Sequence, residues 1–255
     1  MTSLKQKLQL KQPILGTFLK TPHYQVAEVL SLTELETLCI DAEHAPFTRS
    51  DLDICVLACR ARQMPVLIRI ADDAPASILN ALDIGATGIV VPHVKTALQL
   101  KTIVEHAYYG SQGRGYAGST RAANYTTSSL QDNLSNNLNS VVIAQIEDLV
   151  ALDNIDAIAQ VQGCDCLFIG RMDLTIALGE SDAKSPRVVA AVEKVVASAN
   201  AHNVTTGMFV GDLSELDYWM KKGVCLFLLS SDQSFILAGA NALSHKFEEA
   251  KAQLT

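Results

Sequence analysis

The sequence predicts an α/β fold, a closed (β/α)8 barrel, and three observations carry that expectation. Short β-rich apolar runs alternate about eight times with stretches whose apolar residues recur at three- to four-residue spacing. Several runs are apolar on both alternating faces, among them Gly88-Ile89-Val90-Val91, Cys166-Leu167-Phe168-Ile169 and Cys225-Leu226-Phe227-Leu228-Leu229, which suits parallel strands covered on both sides. The chain has 255 residues, of which 49% are hydrophobic, and α/β barrels commonly reach about 250 residues as one unit. One domain is therefore expected over residues 1–255. A doubly wound open sheet is the alternative, because periodicity alone does not decide closure.

The elements follow in order. Ile14–Leu19 and Thr37–Asp41 read as the first two strands, and the second runs into Asp41-Ala42-Glu43-His44-Ala45-Pro46. A helix is expected over Asp51–Arg62. The third strand, Pro65–Ile70, carries Arg69 in an otherwise apolar run, and the fourth is Gly88–Val91. A helix over Ala97–Tyr108 comes next. The fifth strand, Val141–Glu147, contains Gln145 and Glu147, and the sixth, Asp165–Ile169, ends in Ile169-Gly170-Arg171-Met172-Asp173. A helix over Val188–His202 separates it from the seventh strand, Val204–Val210. The eighth strand, Val224–Leu229, leads to a final helix over Ser234–Ala250. A Gly/Ser/Thr/Asn-rich stretch from Gly110 to Ser140 breaks this rhythm. Loops longer than about 12–15 residues are usually functional or mobile, so it is expected near the active-site rim.

Composition excludes several functions. Twenty Lys and Arg against 27 Asp and Glu give a net charge of −7 with no cationic run, so no nucleic acid is expected as partner. No membrane partner is expected, because no apolar stretch reaches the ~18–20 residues of a span. The residues Met1-Thr2-Ser3-Leu4-Lys5-Gln6-Lys7 precede no apolar core of a signal peptide, and a cytoplasmic protein is expected. The six cysteines form no Cys-x-x-Cys pair and read as reduced packing residues.

Chemistry in parallel α/β folds gathers at the carboxyl ends of strands. Arg69 and Gln145 stand inside apolar runs, where an unpaired polar group is costly, so a polar cavity is expected there. Gln145 and Glu147 are two apart and share a strand face. Glu147 with Asp173, on the neighbouring strand end, makes a convergent carboxylate pair suited to Mg2+ or Mn2+. Gly113-Arg114-Gly115-Tyr116-Ala117-Gly118 matches a dinucleotide-binding pattern but lacks the strand–turn–helix context. Lys20 and Lys95, just beyond two strands, are conceivable Schiff-base lysines, and solvated residues at helix starts is the plainer reading. His93, in Val91-Pro92-His93, is placed equally well in the site or outside it.

The motifs occur in an ordered set. They are Asp41-Ala42-Glu43-His44-Ala45-Pro46, the Pro65-Val66-x-x-Arg69 strand, Leu82-Asp83-x-Gly85-Ala86, Val91-Pro92, the Gly113-Arg114-Gly115 loop, Gln145-x-Glu147 and Phe168-Ile169-Gly170-x-x-Asp173-Leu174. In this order they resemble the HpcH/HpaI aldolase family, class II metal-dependent pyruvate aldolases such as 4-hydroxy-2-oxoheptanedioate aldolase, from about Ile14 to Leu243. The resemblance implies a TIM-type (β/α)8 barrel and a homo-oligomer, with a hexamer favoured and the C-terminal helix used in assembly. It implies that Glu147 and Asp173 hold a divalent cation (Mg2+, Mn2+ or Co2+), and that Arg69 binds the ketone oxygen of pyruvate and stabilises its enolate. Gln145 and the backbone from Gly170 to Met172 would hold the pyruvate end. His44 would act as the base, with Asp83 raising its basicity and Asp41 nearby. Ala42, Arg171-Met172 and His93 stand where the family commonly has Gly, Pro-Ala and Met, which bears on the aldehyde accepted.

The implied reaction is reversible cleavage of a 4-hydroxy-2-oxo acid into pyruvate and an aldehyde. The developing enolate needs cations beside its oxygen, and a metal with Arg69 supplies them. A Schiff-base aldolase, a related carbon–carbon lyase or condensing enzyme on a citrate- or malate-like acid, and a non-catalytic organic-acid-binding barrel are the alternatives.

Overall fold

The computed structural model describes residues 2–254. Helix α1 (Leu4–Gln9) precedes β1 (Ile14–Leu19), α2 (Tyr24–Leu30), β2 (Thr37–Asp41), α3 (Arg49–Ala61), β3 (Val66–Arg69), α4 (Pro75–Asp83), β4 (Gly88–Val91) and α5 (Ala97–Ala107). After α6 (Leu130–Asn137) come β5 (Val141–Ile146), α7 (Leu149–Asp153), α8 (Ile155–Ala159), β6 (Cys166–Ile169), α9 (Arg171–Ala177), α10 (Pro186–Ala201), β7 (Thr205–Met208), α11 (Leu216–Lys222), β8 (Val224–Ser231) and α12 (Asp232–Ala252). The strands pair in parallel in chain order, and β8 returns to β1. The closed barrel is thus present, and the open-sheet alternative falls.

Closure explains the apolar runs. Every second residue points inward, and Ile14, Phe18, Cys39, Leu67, Val90, Val141, Ile143, Cys166, Phe168, Leu226 and Leu228 fill the interior. Their neighbours, including Leu19, Leu38, Ile40, Val66, Ile68, Ile89, Val142 and Leu167, pack beneath the helices. Leu4 and Leu8 of α1 join the interior cluster, and the Leu8 carbonyl accepts a 2.6 Å hydrogen bond from Thr205 Oγ1. Lys5 Nζ ties the same end together through Tyr108 Oη and the Ser140 carbonyl, both at 2.8 Å. The amino-terminal end of the barrel is therefore plugged, and ligands enter from the carboxyl end.

The Gly110–Ser140 stretch lies elsewhere than expected. Arg114 Nη2 donates to Asn137 Oδ1 at 2.8 Å, Arg121 Nη1 donates to the Ile84 carbonyl at 2.7 Å, and the Ala122 amide donates to the Asp83 carbonyl at 3.2 Å. These partners surround the carboxyl end of α4 and the start of β5, so the excursion covers the amino-terminal end and not the active-site rim. The reason is topological: α5 ends and β5 begins at that end, and the intervening chain has no need to cross.

α12 departs from the barrel. Of its residues only Asp232 is buried, its carboxylate accepting from the Lys20 and Thr21 amides at 2.7 and 3.0 Å. Phe235, Ile236, Leu237, Leu243 and Phe247 stand exposed along the rest of the helix.

All six cysteines are free. Burial pushes the thiols of Cys39, Cys55 and Cys164 up to about 12 and that of Cys59 to about 11, and it raises those of Cys166 and Cys225. The thiolate is the reactive form. Ellman's reagent at pH 8 should therefore react slowly with the native protein and release all six thiols on denaturation; a fast-reacting native thiol would contradict the packing.

Candidate active site

The site starts from two residues on neighbouring strands. Asp41 and Arg69 are register partners at the ends of β2 and β3. Arg69 donates to Asp41 through Nε at 3.0 Å and Nη2 at 2.8 Å, a two-pronged pair buried at both partners. Asp41 also accepts the His44 amide at 3.1 Å and pairs with Lys20 Nζ at 3.0 Å. The Phe18 ring lies 4.9 Å beneath the guanidinium. Burial pushes the Asp41 pKa up, but the hydrogen bonds and charge of Arg69, the His44 amide and Lys20 outweigh it and hold Asp41 below the usual carboxylate range. For Arg69 burial works against the charge, and Asp41 more than restores it. Arg69 is a fixed cation.

β5 contributes the second group. Gln145 Nε2 donates to Glu147 Oε2 at 2.5 Å, and Glu147 Oε1 accepts the His93 amide at 2.8 Å. Both residues are buried. Gly170 crosses directly over them: a Cβ there would meet Glu147 Oε2 at 2.6 Å, so a side chain at 170 would displace the carboxylate. Glu43 approaches from the loop after β2. One ligand atom each from Glu43, His93 and Glu147 lies within 4.8 Å of the others, the spacing of donors around one ion.

This donor set fits a divalent metal. Glu43 Oε2 and Gln145 Oε1 are buried without a hydrogen-bond partner. Arg69 Nε is 3.3 Å from Glu43 Oε2, near enough to attract it but committed to Asp41. Burial pushes the Glu43 pKa up; Arg69 and His44 oppose this, Glu147 adds repulsion, and the net shift is upward. Two carboxylates crowded together out of water call for a cation between them.

The remaining expected residues fall into two groups. His44, Arg69, Gln145, Gly170, Met172 and Asp173 all line one cavity of about 690 Å³ at the carboxyl end of the barrel. Asp173 lies in the first turn of α9, exposed, and Met172 beside it is exposed as well. Arg171 turns away from solvent: its Nη1 donates to Glu215 Oε2 at 2.7 Å, its Nε to the Ala183 carbonyl at 2.8 Å, and Trp219 lies 5.6 Å from it. It is a wall of the cavity.

Asp83 is not in this group. It ends α4, at the amino-terminal end of the barrel, with Arg114 Nε 3.8 Å from its Oδ1. Burial raises its pKa, and Arg114 and Arg49 reduce that shift without reversing it. A His44–Asp83 pair within one chain is therefore corrected by topology. His44 instead has Nε2 3.7 Å from Glu43 Oε2, with more than half of its side chain exposed. Sequence reasoning passed over Glu43 as a donor and left His93 open. The signal for Glu43 was its position two residues past a strand-end aspartate.

A closed barrel whose carboxyl end brings a fixed guanidinium, an imidazole and converging carboxylates onto one cavity has the layout of a metal-using barrel enzyme. The chain belongs to the HpcH/HpaI aldolase/citrate lyase family, whose model matches residues 15–237. It is 29% identical over 231 residues to a 2-dehydro-3,6-dideoxy-6-sulfogluconate aldolase of Pseudomonas putida, covering 90% of each chain. It is 30% identical over 225 residues to a 5-keto-4-deoxy-D-glucarate aldolase of Klebsiella pneumoniae, covering 87% of each. The crystal structure of a family member from Burkholderia cenocepacia superposes with a TM-score of 0.91 at 30% identity, covering 97% of this chain and 100% of that one.

Proposed function

We propose that the protein is a class II aldolase that reversibly cleaves a 4-hydroxy-2-oxo acid into pyruvate and an aldehyde. The observation that carries this reading is the fixed Arg69 cation 3.3 Å from Glu43 Oε2, a buried carboxylate oxygen with no hydrogen-bond partner, with a Glu147 carboxylate oxygen within 4.8 Å of Glu43. Both named aldolase relatives cleave acids of this general kind, and the family membership supports the same chemistry here.

Glu147 and Asp173 would hold Mg2+, Mn2+ or Co2+, and the ion, when bound, supplies positive charge beside an oxo-acid oxygen. The chain's own groups do the rest. Arg69 stabilises charge that develops on the C2 oxygen as the C3–C4 bond breaks, in a site where Asp41 already fixes its orientation. Gln145 and the backbone at Gly170 to Met172 hold the carboxylate end of the oxo acid. His44 takes the proton from the C4 hydroxyl, the bonding pair moves from C3–C4 into the enolate, and the C4 carbon leaves as the aldehyde. Protonation at C3 then gives pyruvate. Lys20 is paired with Asp41, which argues against its use as a Schiff-base amine.

The test is an assay of pyruvate with small aldehydes in the presence of Mg2+, Mn2+ or Co2+. Chelation should abolish the activity and re-addition restore it. Full activity in excess chelator, or borohydride trapping of pyruvate on a lysine, would reject this reading.

Arg69→Ala should lower kcat by about 10²–10³, the effect of removing one preorganised oxyanion donor. Arg69→Lys should recover only part, because an ammonium does not reproduce the planar fork. A change below threefold would reduce Arg69 to a structural role.

We further propose that the chain works in the cytoplasm as one domain assembled into a homohexamer through α12. The exposed apolar side chains along α12 support assembly, since scattered singly they would need no explanation but here they share one projecting helix. Because His44 and Asp83 lie at opposite ends of one barrel, any coupling joins two copies. Asp83→Asn should then move the acidic limb of kcat/KM to lower pH, because an anion beside an imidazole favours its protonated form. Under subunit exchange, a mixture of His44→Ala and Asp83→Asn chains should recover activity that neither has alone. A monomer in sedimentation, or no complementation, would reject the assembly.

A further inference from the structure

The residue that departs most usefully from the expected site is His93. We propose that His93, beside Glu43 and aimed by Asp148, is a further protein ligand of the ion held by Glu147, and that its imidazole shifts the site's preference from Mg2+ toward Co2+ and Zn2+. This rests on the metal-dependent reading above and deepens it.

Three independent features of the geometry converge on His93. The first is proximity: Glu43, His93 and Glu147 offer one donor atom each within 4.8 Å, two oxygens and one imidazole nitrogen. The second is the orientation of the ring. His93 Nδ1 lies 3.0 Å from Asp148 Oδ2, and Asp148 is itself held by Lys95 Nζ at 3.4 Å. A carboxylate at one ring nitrogen takes its N–H and leaves the lone pair on the other. That other nitrogen, Nε2, is 3.9 Å from Glu43 Oε1, while Nδ1 also lies 3.3 Å from Glu147 Oε1, so the ring edge spans the two carboxylates. Metal-bound histidines almost always donate their second nitrogen to such a group, which fixes the tautomer and raises the basicity of the ligating one.

The third feature is the backbone. His93 has φ +54°, a left-handed conformation that few non-glycine residues adopt. Its amide donates to Glu147 Oε1 at 2.8 Å, and its carbonyl accepts from Gln99 Nε2 at 3.3 Å. The strained residue is thus tied to the carboxylate whose ion it would share, and such strain concentrates at functional sites. The ring is also more than half exposed on the open side, where an ion can reach it.

The consequence is selectivity. A site of carboxylates and water suits Mg2+, Ca2+ and Mn2+, whereas imidazole favours the later first-row ions, Co2+ and Zn2+ among them. Replacing one oxygen donor by nitrogen should therefore raise affinity for Co2+ and Zn2+ while leaving Mg2+ nearly unaffected. A histidine that merely pairs with the surrounding carboxylates would give no such separation, and a bound cation would displace it.

The experiment measures metal binding rather than turnover. Titration calorimetry with Mg2+, Co2+ and Zn2+ on the purified apoprotein should show Co2+ binding at least tenfold tighter than Mg2+. His93→Met should weaken Co2+ and Zn2+ binding by about 10–100-fold or more and change Mg2+ binding by less than about threefold; Asp148→Asn should fall between the two proteins, as loss of a supporting carboxylate does. Pulsed EPR of the Mn2+-loaded wild type should show nitrogen hyperfine coupling from a directly bound imidazole, a readout that needs no variant to fold. Unchanged Co2+ affinity in His93→Met, or no nitrogen coupling in the wild type, overturns the inference and leaves the metal-dependent reading standing. A wild-type protein that binds none of these ions overturns both.

Discussion

The site depends on the ion pair between Asp41 and Arg69. Two opposite charges at the ends of adjacent strands are taken out of water together, and each is tolerable only because of the other. Removing one partner of a buried pair costs about 3–5 kcal/mol, since it leaves an uncompensated charge. Here the pair also organises its surroundings. Asp41 gathers the Lys20 ammonium from the end of β1 and the His44 amide from the following loop. Phe18 supports the guanidinium from inside the barrel. Strands β1, β2 and β3 thus bring their polar ends to one point, and Arg69 is held as a cation without being buried beyond a ligand's reach.

That constraint places the carboxylates. Arg69 uses Nε and Nη2 on Asp41, so it offers Glu43 proximity but no hydrogen bond of its own. Glu147 is likewise positioned by neutral donors, the Gln145 amide and the His93 backbone, and not by a cation. The result is negative charge assembled beside a positive charge that is already committed. In a low-dielectric cavity such an imbalance is maintained only if something positive completes it, and this links the packing of β2, β3 and β5 to the chemistry of the site.

Much of this was legible in the sequence. The eight strands could be read from their apolar runs, and β1, β2 and β4 have the bounds expected, because a strand buried on both faces leaves an unbroken hydrophobic signature. Arg69, Gln145 and Glu147 were legible for the same reason: polar residues inside such runs stand out. Glu43 and His93 were not, because they sit in irregular chain just past a strand, where any polar residue reads as solvated. The excursion before β5 was misplaced because length and composition mark a loop as unusual without saying which end of the barrel it covers. Arg171 illustrates the same limit. It follows a strand end like a ligand-binding residue, yet Glu215, Ala183 and Trp219, all distant in sequence, turn it into the wall.

The two ends of the barrel set a further limit on what one chain can do. Strands of four to eight residues at about 3.3 Å per residue put its ends ~13–26 Å apart. Charges at that separation are screened by physiological salt, whose Debye length is about 8 Å, and the plugged interior provides no hydrogen-bonded path between them. Asp83, half-buried beside Arg114 at the closed end, therefore cannot tune His44 at the open end of the same barrel. Yet its Oδ1 is buried without a hydrogen-bond partner, as are Arg114 Nε and Nη1. Such groups are rarely left bare in a finished structure. The same chain extends α12 away from its own core with apolar side chains facing outward. Unfinished polar groups at one end and the exposed apolar side chains of α12 at the other support the proposed assembly, in which a second copy would supply what a single barrel leaves open.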